Sequence, residues 1–132
     1  MKTVGNATML DRLIQRASAD NDVLAVILFG SAARNETTPL SDQDICIVLL
    51  PKAYAPPALS HKKLEYLSEY DFDIHVYQQL PIHIKHRVIK EGRVLFCRDE
   101  DALYKLVFRT IEEFEDYKYF YEDYLEKVAD AR

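Results

Sequence analysis

The sequence predicts an α/β (α+β) fold: one domain with a small β-sheet, helices packed on it and a long C-terminal helix. Three observations carry that expectation. Apolar runs at 23–29 and 45–50 and an alternating run at 72–77 have the length and composition of strands. Segments with apolar residues at helical spacing lie before, between and after them. The 132 residues include only 3 Gly and no flexible linker, and a chain of that length supports a single core.

Residues 6–20 form the first amphipathic pattern, with Met9, Leu10, Leu13, Ile14 and Ala17 on one stripe and Thr8 with Asp11 as a capping box. Asp20-Asn21-Asp22 breaks it. Val23 to Phe29 is unbroken and rich in β-branched residues, which suits a strand buried on both faces. It ends on Gly30-Ser31, where glycine lets the backbone turn sharply and approach a ligand. A short helix over 31–34 and a loop over 35–40 follow, then the second buried strand, Ile45 to Leu50, closed by Pro51.

Pro56-Pro57 leads into a helix over 58–70, with Leu59, Leu64 and Leu67 expected inward and Lys62, Lys63 and Glu65 toward water. Along 72–77 the period becomes two: Phe72, Ile74 and Val76 share one face, Asp73, His75 and Tyr77 the other. Pro81 is expected at N1 of a helix running to Lys90, with Gly92 at its C′ position. Arg93 to Cys97 completes the strands, at a sheet edge. From 99 to 129 comes one long helix with acids at its start, as the helix dipole favours. Val107, Thr110, Phe114, Tyr117, Tyr121, Tyr124 and Val128 form a seam of coiled-coil spacing, and Tyr104, Phe108, Tyr119 and Phe120 lie off it. So small a core cannot cover that much aromatic surface. The Leu103 to Phe114 end is therefore expected on the sheet and the Tyr-rich end on another chain.

A net charge of −5 argues against a large nucleic-acid footprint, which needs a basic face, but not against a nucleotide. The longest apolar run is far short of a membrane span, and the first residues lack a signal-peptide core, so no membrane partner and a cytoplasmic location are expected. Cys46 and Cys97, on separate strands without metal-type spacing, are expected as free thiols.

The chemistry concentrates between Gly30 and Asp44. Asp42 and Asp44 share a side of their strand, and two carboxylates so close repel each other. A hard divalent cation between them, completed by phosphate oxygens, resolves the conflict. Ten residues upstream, the N–H groups and hydroxyl at Ser31 make an anion site that Arg34 could brace, while Ser41 could hydrogen-bond the turn. Asp73 and Asp71 have equal parity as further acids. His75 shares the side of Asp73 and could contact a substrate, although a half-buried structural role suits it better. His83 and His86 have ligand spacing but no third partner, which favours exposure to solvent.

Gly30-Ser31, ten residues, then Asp42-x-Asp44, with Arg34 after the serine and Ser41 before the first aspartate, resembles the minimal nucleotidyltransferases (MNT) of the DNA polymerase beta superfamily, antitoxin partners of HEPN-domain toxins. Asn35 departs from the glycine usual there, though asparagine tolerates a left-handed turn. The resemblance implies a polymerase-beta-like fold on a small mixed sheet, with 1–98 as catalytic core and 99–132 as a partner-docking helix. It implies a third carboxylate, a place that Asp73 fills, and ATP as donor. Asp42, Asp44 and Asp73 would hold two Mg²⁺ ions, and Gly30, Ser31, Arg34 and Ser41 the nucleotide. It further implies a type VII toxin–antitoxin pair, in which AMP passes to a tyrosine hydroxyl of the cognate HEPN RNase in a hetero-oligomer. The alternatives are an antibiotic-type adenylyltransferase and a non-catalytic antitoxin acting by occlusion.

Overall fold

A seven-residue run without a polar side chain must be covered on both faces, and Val23–Phe29 becomes the central strand β1, buried along its whole length. The computed structural model of the chain describes residues 5–30 and 43–130. In it β1 pairs antiparallel with β2 (Asp44–Leu49) on one side and antiparallel with β4 (Arg93–Cys97) on the other. A fourth strand, β3 (Asp73–Val76), adds parallel to β2, so the mixed sheet runs β3-β2-β1-β4 with β4 at an edge. Parallel neighbours need a crossover, which helix α2 (Pro56–Leu67) supplies.

The other helices are α1 (Gly5–Ala19), α3 (Ile82–Glu91) and α4 (Glu100–Asp130). Alternation along β2 divides the core between the two faces of the sheet. Ile45, Ile47 and Leu49 meet Leu13 and Ala17 of α1 and Tyr66 of α2, while Cys46 and Val48 meet Val88 of α3 and Leu103 and Leu106 of α4. Asp73 and His75, set opposite in parity to Ile74 and Val76, belong to the second face, where Phe29 also lies. Both cysteines are free, and burial pushes the Cys46 thiol far above its usual range.

The phase of α2 differs from expectation. Tyr66 is its fully buried residue and Leu59 packs beside it, whereas Leu64 is 62% exposed and Leu67 also faces out. The reason is polar. Asp20, at the end of α1, accepts hydrogen bonds from the Tyr66 hydroxyl at 3.0 Å and from Lys62 at 3.0 Å, which turns that side of α2 inward. Burial opposes ionisation of Asp20, but the bonds from Lys62, the Asp22 N–H and Tyr66 outweigh it and hold the carboxyl below its usual range. Pro81 sits at the N-cap of α3, one position before N1. Gly92 caps that helix in an extended conformation (φ −76°, ψ 157°) rather than the left-handed one. Its lack of a side chain is required by space: a Cβ there would lie 2.4 Å from Ile27 Cγ2 and from the Val88 carbonyl.

Arg98, just past β4, locks the sheet to α1. Its Nε donates to the Val23 carbonyl at 2.8 Å and its Nη2 donates to the carbonyls of Ala17, Ser18 and Asp20 at 2.9–3.1 Å, capping the open end of the helix. Arg98→Ala is expected to lower the unfolding free energy by about 1–3 kcal/mol in urea denaturation. An unchanged midpoint would mean that water replaces those bonds without loss.

Along α4, the first half lies on the sheet and α3: Thr110 is buried and bonds the Tyr77 hydroxyl, and Phe114 stacks on His86 at 3.8 Å. His86 is thus partly covered rather than free in solvent. The distal half carries an aromatic surface left exposed by the described residues, including Tyr119 at 67% and Phe120 at 66% exposure. Among the described residues, no helix is long and apolar enough to cross a membrane.

Candidate active site

Two strands that run parallel from a common edge place their first residues side by side, and here both first residues are acids. Asp44 opens β2, Asp73 opens β3, and the two are register partners. A hydrogen bond of 3.0 Å from the Asp73 N–H to the Gln43 carbonyl fixes the start of that ladder. On the other side of β2, Asp44 is the register partner of Phe29, the last residue of β1. The turn that follows brings Gly30 against the same carboxylate. Gly30 holds φ at +81°, and a Cβ built on it would lie 2.3 Å from Asp44 Oδ2. The glycine is needed twice, for its left-handed backbone and for the approach of Asp44.

His75, two residues along β3 and so on the same face as Asp73, completes the group. Its Nε2 lies 3.4 Å from Asp44 Oδ1 and 3.4 Å from Asp73 Oδ2. The ring is held edge-to-face against Phe29, with centroids 5.5 Å apart. One ligand atom each from Asp44, Asp73 and His75 fall within 4.8 Å of one another. Partial desolvation raises the pKa of the Asp44 carboxyl, and the hydrogen bond and charge of Asp73 add to the rise; contact with His75 works the other way. Converging oxygen donors that resist joint ionisation suit a hard divalent cation, whose charge removes the repulsion. Two strand-end carboxylates beside a glycine turn therefore fit the metal that the sequence resemblance implies.

Of the residues singled out from sequence, the structure brings Asp44 and Asp73 together and sets Gly30 against Asp44. Ser31, Arg34, Ser41 and Asp42 lie outside the described residues. Asp71 is exposed in the turn before β3 and lines a shallow cleft with Met9 and Ser68. His75, expected to be half-buried, is half-buried, and it also reaches both carboxylates. Its signal was its parity with Asp73, but parity gives a side of the strand and not the reach to Asp44 across it.

This chain belongs to the polymerase beta nucleotidyltransferase family, whose sequence model matches residues 11–101. It is similar to a curated protein of Methanocaldococcus jannaschii named "Putative protein adenylyltransferase MJ1547", with 36% identity over 76 residues. That match spans 56% of this chain and 56% of the relative, so the chain covers about half of the relative's length. Among solved structures, the fold is similar to that of a toxin–antitoxin crystallised with AMP-PNP, with TM-score 0.65, 19% identity and coverage of 89% of this chain and 97% of that one. It is also similar to a chain in the complex of tri-AMPylated Shewanella oneidensis HEPN toxin with MNT antitoxin, with TM-score 0.62, 18% identity and coverage of 97% and 98%.

Proposed function

We propose that the chain is a nucleotidyltransferase antitoxin that transfers AMP from ATP to a tyrosine hydroxyl of a cognate HEPN RNase toxin, releasing pyrophosphate, and so neutralises it. The observation that carries this reading is the Asp44–Asp73 pair, in register at the mouths of two parallel strands and beside the Gly30 turn. Family membership supports the reaction class, and the likeness to toxin–antitoxin structures, one with an AMPylated toxin, supports the partner.

In this reading Asp44 and Asp73, with Asp42, would hold two Mg²⁺ ions. Bound there, the ions would neutralise charge on the attacking and leaving oxygens of the in-line displacement. The chain's own groups do the rest. The N–H groups of the Gly30-Ser31 turn and the Ser31 hydroxyl grip the β- and γ-phosphates, with Arg34 and Ser41 assisting. Asp73, whose side chain is 60% exposed, is the acid an incoming hydroxyl can reach, and it accepts that hydroxyl's proton as general base. The exposed aromatic surface on the distal half of α4 docks the toxin in a hetero-oligomer, leaving residues 1–98 free for chemistry.

The test is intact mass spectrometry of the cognate toxin after incubation with this chain, ATP and Mg²⁺. The expected product is toxin heavier by one or more AMP units and inactive as an RNase. Toxin neutralised at unchanged mass would replace this reading with occlusion. AMP on an aminoglycoside, with none on the toxin, would replace it with an antibiotic-type adenylyltransferase.

A further inference from the structure

We propose that His75 is a direct ligand of the divalent cation held by Asp44 and Asp73, making this a mixed nitrogen–oxygen site that prefers a transition-metal ion such as Mn²⁺ to Mg²⁺. The inference rests on the reading of the two aspartates as metal ligands and adds a donor of different chemistry to them.

The distances favour a shared ion over direct bonding. A charged nitrogen donating to a carboxylate settles at about 2.7–2.9 Å. His75 Nε2 instead stands at 3.4 Å from one oxygen of each aspartate, too far for a strong bond to either and equally far from both. An octahedral ion with bonds of about 2.1–2.2 Å sets adjacent ligands about 3 Å apart and opposite ones a little over 4 Å apart. The three donor atoms lie within 4.8 Å of one another, with both nitrogen–oxygen separations at 3.4 Å, so small side-chain adjustments bring them onto one ion. The ring has little freedom to leave: Phe29 backs it edge-on, and β3 pins its backbone opposite Cys46. An imidazole placed so is a better ligand for a transition-metal ion, Mn²⁺ included, than for Mg²⁺, which favours an all-oxygen shell. The expected consequence is Mn²⁺ binding at least about tenfold tighter than Mg²⁺, with the gap narrowing in His75→Gln.

The test is pulsed EPR of Mn²⁺ bound to the full chain with tripolyphosphate, a probe that contains no nitrogen. The expected spectrum carries the modulation of a directly bound imidazole nitrogen. That signal should change isotope pattern when the histidines are ¹⁵N-labelled, a substitution that leaves the fold untouched, and vanish in His75→Gln while Mn²⁺ stays bound. Bound Mn²⁺ with no nitrogen coupling, or coupling that survives His75→Gln, overturns the role of His75 and leaves the aspartate site standing. Failure of Mn²⁺ to bind at all, or binding unchanged by Asp44→Asn, overturns the metal-site reading and this inference with it.

Discussion

Asp44→Asn should lower nucleotidyl transfer by about a thousandfold or more and leave the metal-free protein at least as stable as its parent. The first effect follows from the position of Asp44 at the centre of the group, in register with Asp73, 3.4 Å from His75 Nε2 and against Gly30. On the proposed reading, removing its charge takes away a metal ligand and its share of charge stabilisation, and a thousandfold corresponds to about 4 kcal/mol. The second effect follows from the raised pKa of the same carboxyl, caused by partial desolvation and by Asp73. A carboxyl whose folded pKa lies above its unfolded one costs stability once ionised. The cost is absent below the unfolded pKa, grows as pH rises toward the folded value, and is fully present above it. Asparagine removes it. In EDTA the variant should therefore melt no lower than the parent at pH 7, and any advantage should shrink on acidification to about pH 4. Thermal melts at both pH values, with transfer assayed by mass, check both halves. Transfer within tenfold of the parent would remove Asp44 from the chemistry, and a large loss of melting temperature in EDTA would give it a structural role instead.

Most of the fold can be read from the chain because its apolar runs have one physical solution each. Val23–Phe29 has no polar residue, so only a central, doubly covered strand accommodates it. Phe72, Ile74 and Val76 alternate, so Asp73 and His75 must face away from them. Register is a different matter. Nothing local sets Asp44 opposite Asp73, because that pairing depends on how the α2 crossover returns the chain to the sheet. The reach of His75 to both acids depends on the same pairing, so the donor set emerges only with the tertiary structure. The phase of α2 was illegible for a related reason. By apolarity Leu64 outranks Lys62 for the inward face, but Asp20 offers a half-buried carboxylate that Lys62 and Tyr66 satisfy together. Leaving that acid unpaired would cost more than exposing a leucine.

Gly30→Ala should be the most disruptive single-methyl change in the described part of the site, and its cost should depend on what occupies position 44. Two separable penalties act. The backbone holds φ at +81°, which costs an L-residue about 1–2 kcal/mol wherever it occurs. The new methyl would also lie 2.3 Å from Asp44 Oδ2, so the carboxylate must swing away. Together these should lower the unfolding free energy by about 2–4 kcal/mol and reduce transfer at least a hundredfold, since the displaced carboxylate is a proposed metal ligand. In an Asp44→Ala background the second penalty disappears, because the side chain that the methyl meets is gone. Only the backbone strain, about 1–2 kcal/mol, should then remain. A double-mutant cycle in urea isolates the difference as a coupling energy between the two positions. Zero coupling would mean that the glycine serves the turn alone, whereas a double variant that loses clearly less than the sum of its parts would tie the shape of the turn directly to the orientation of the Asp44 carboxylate.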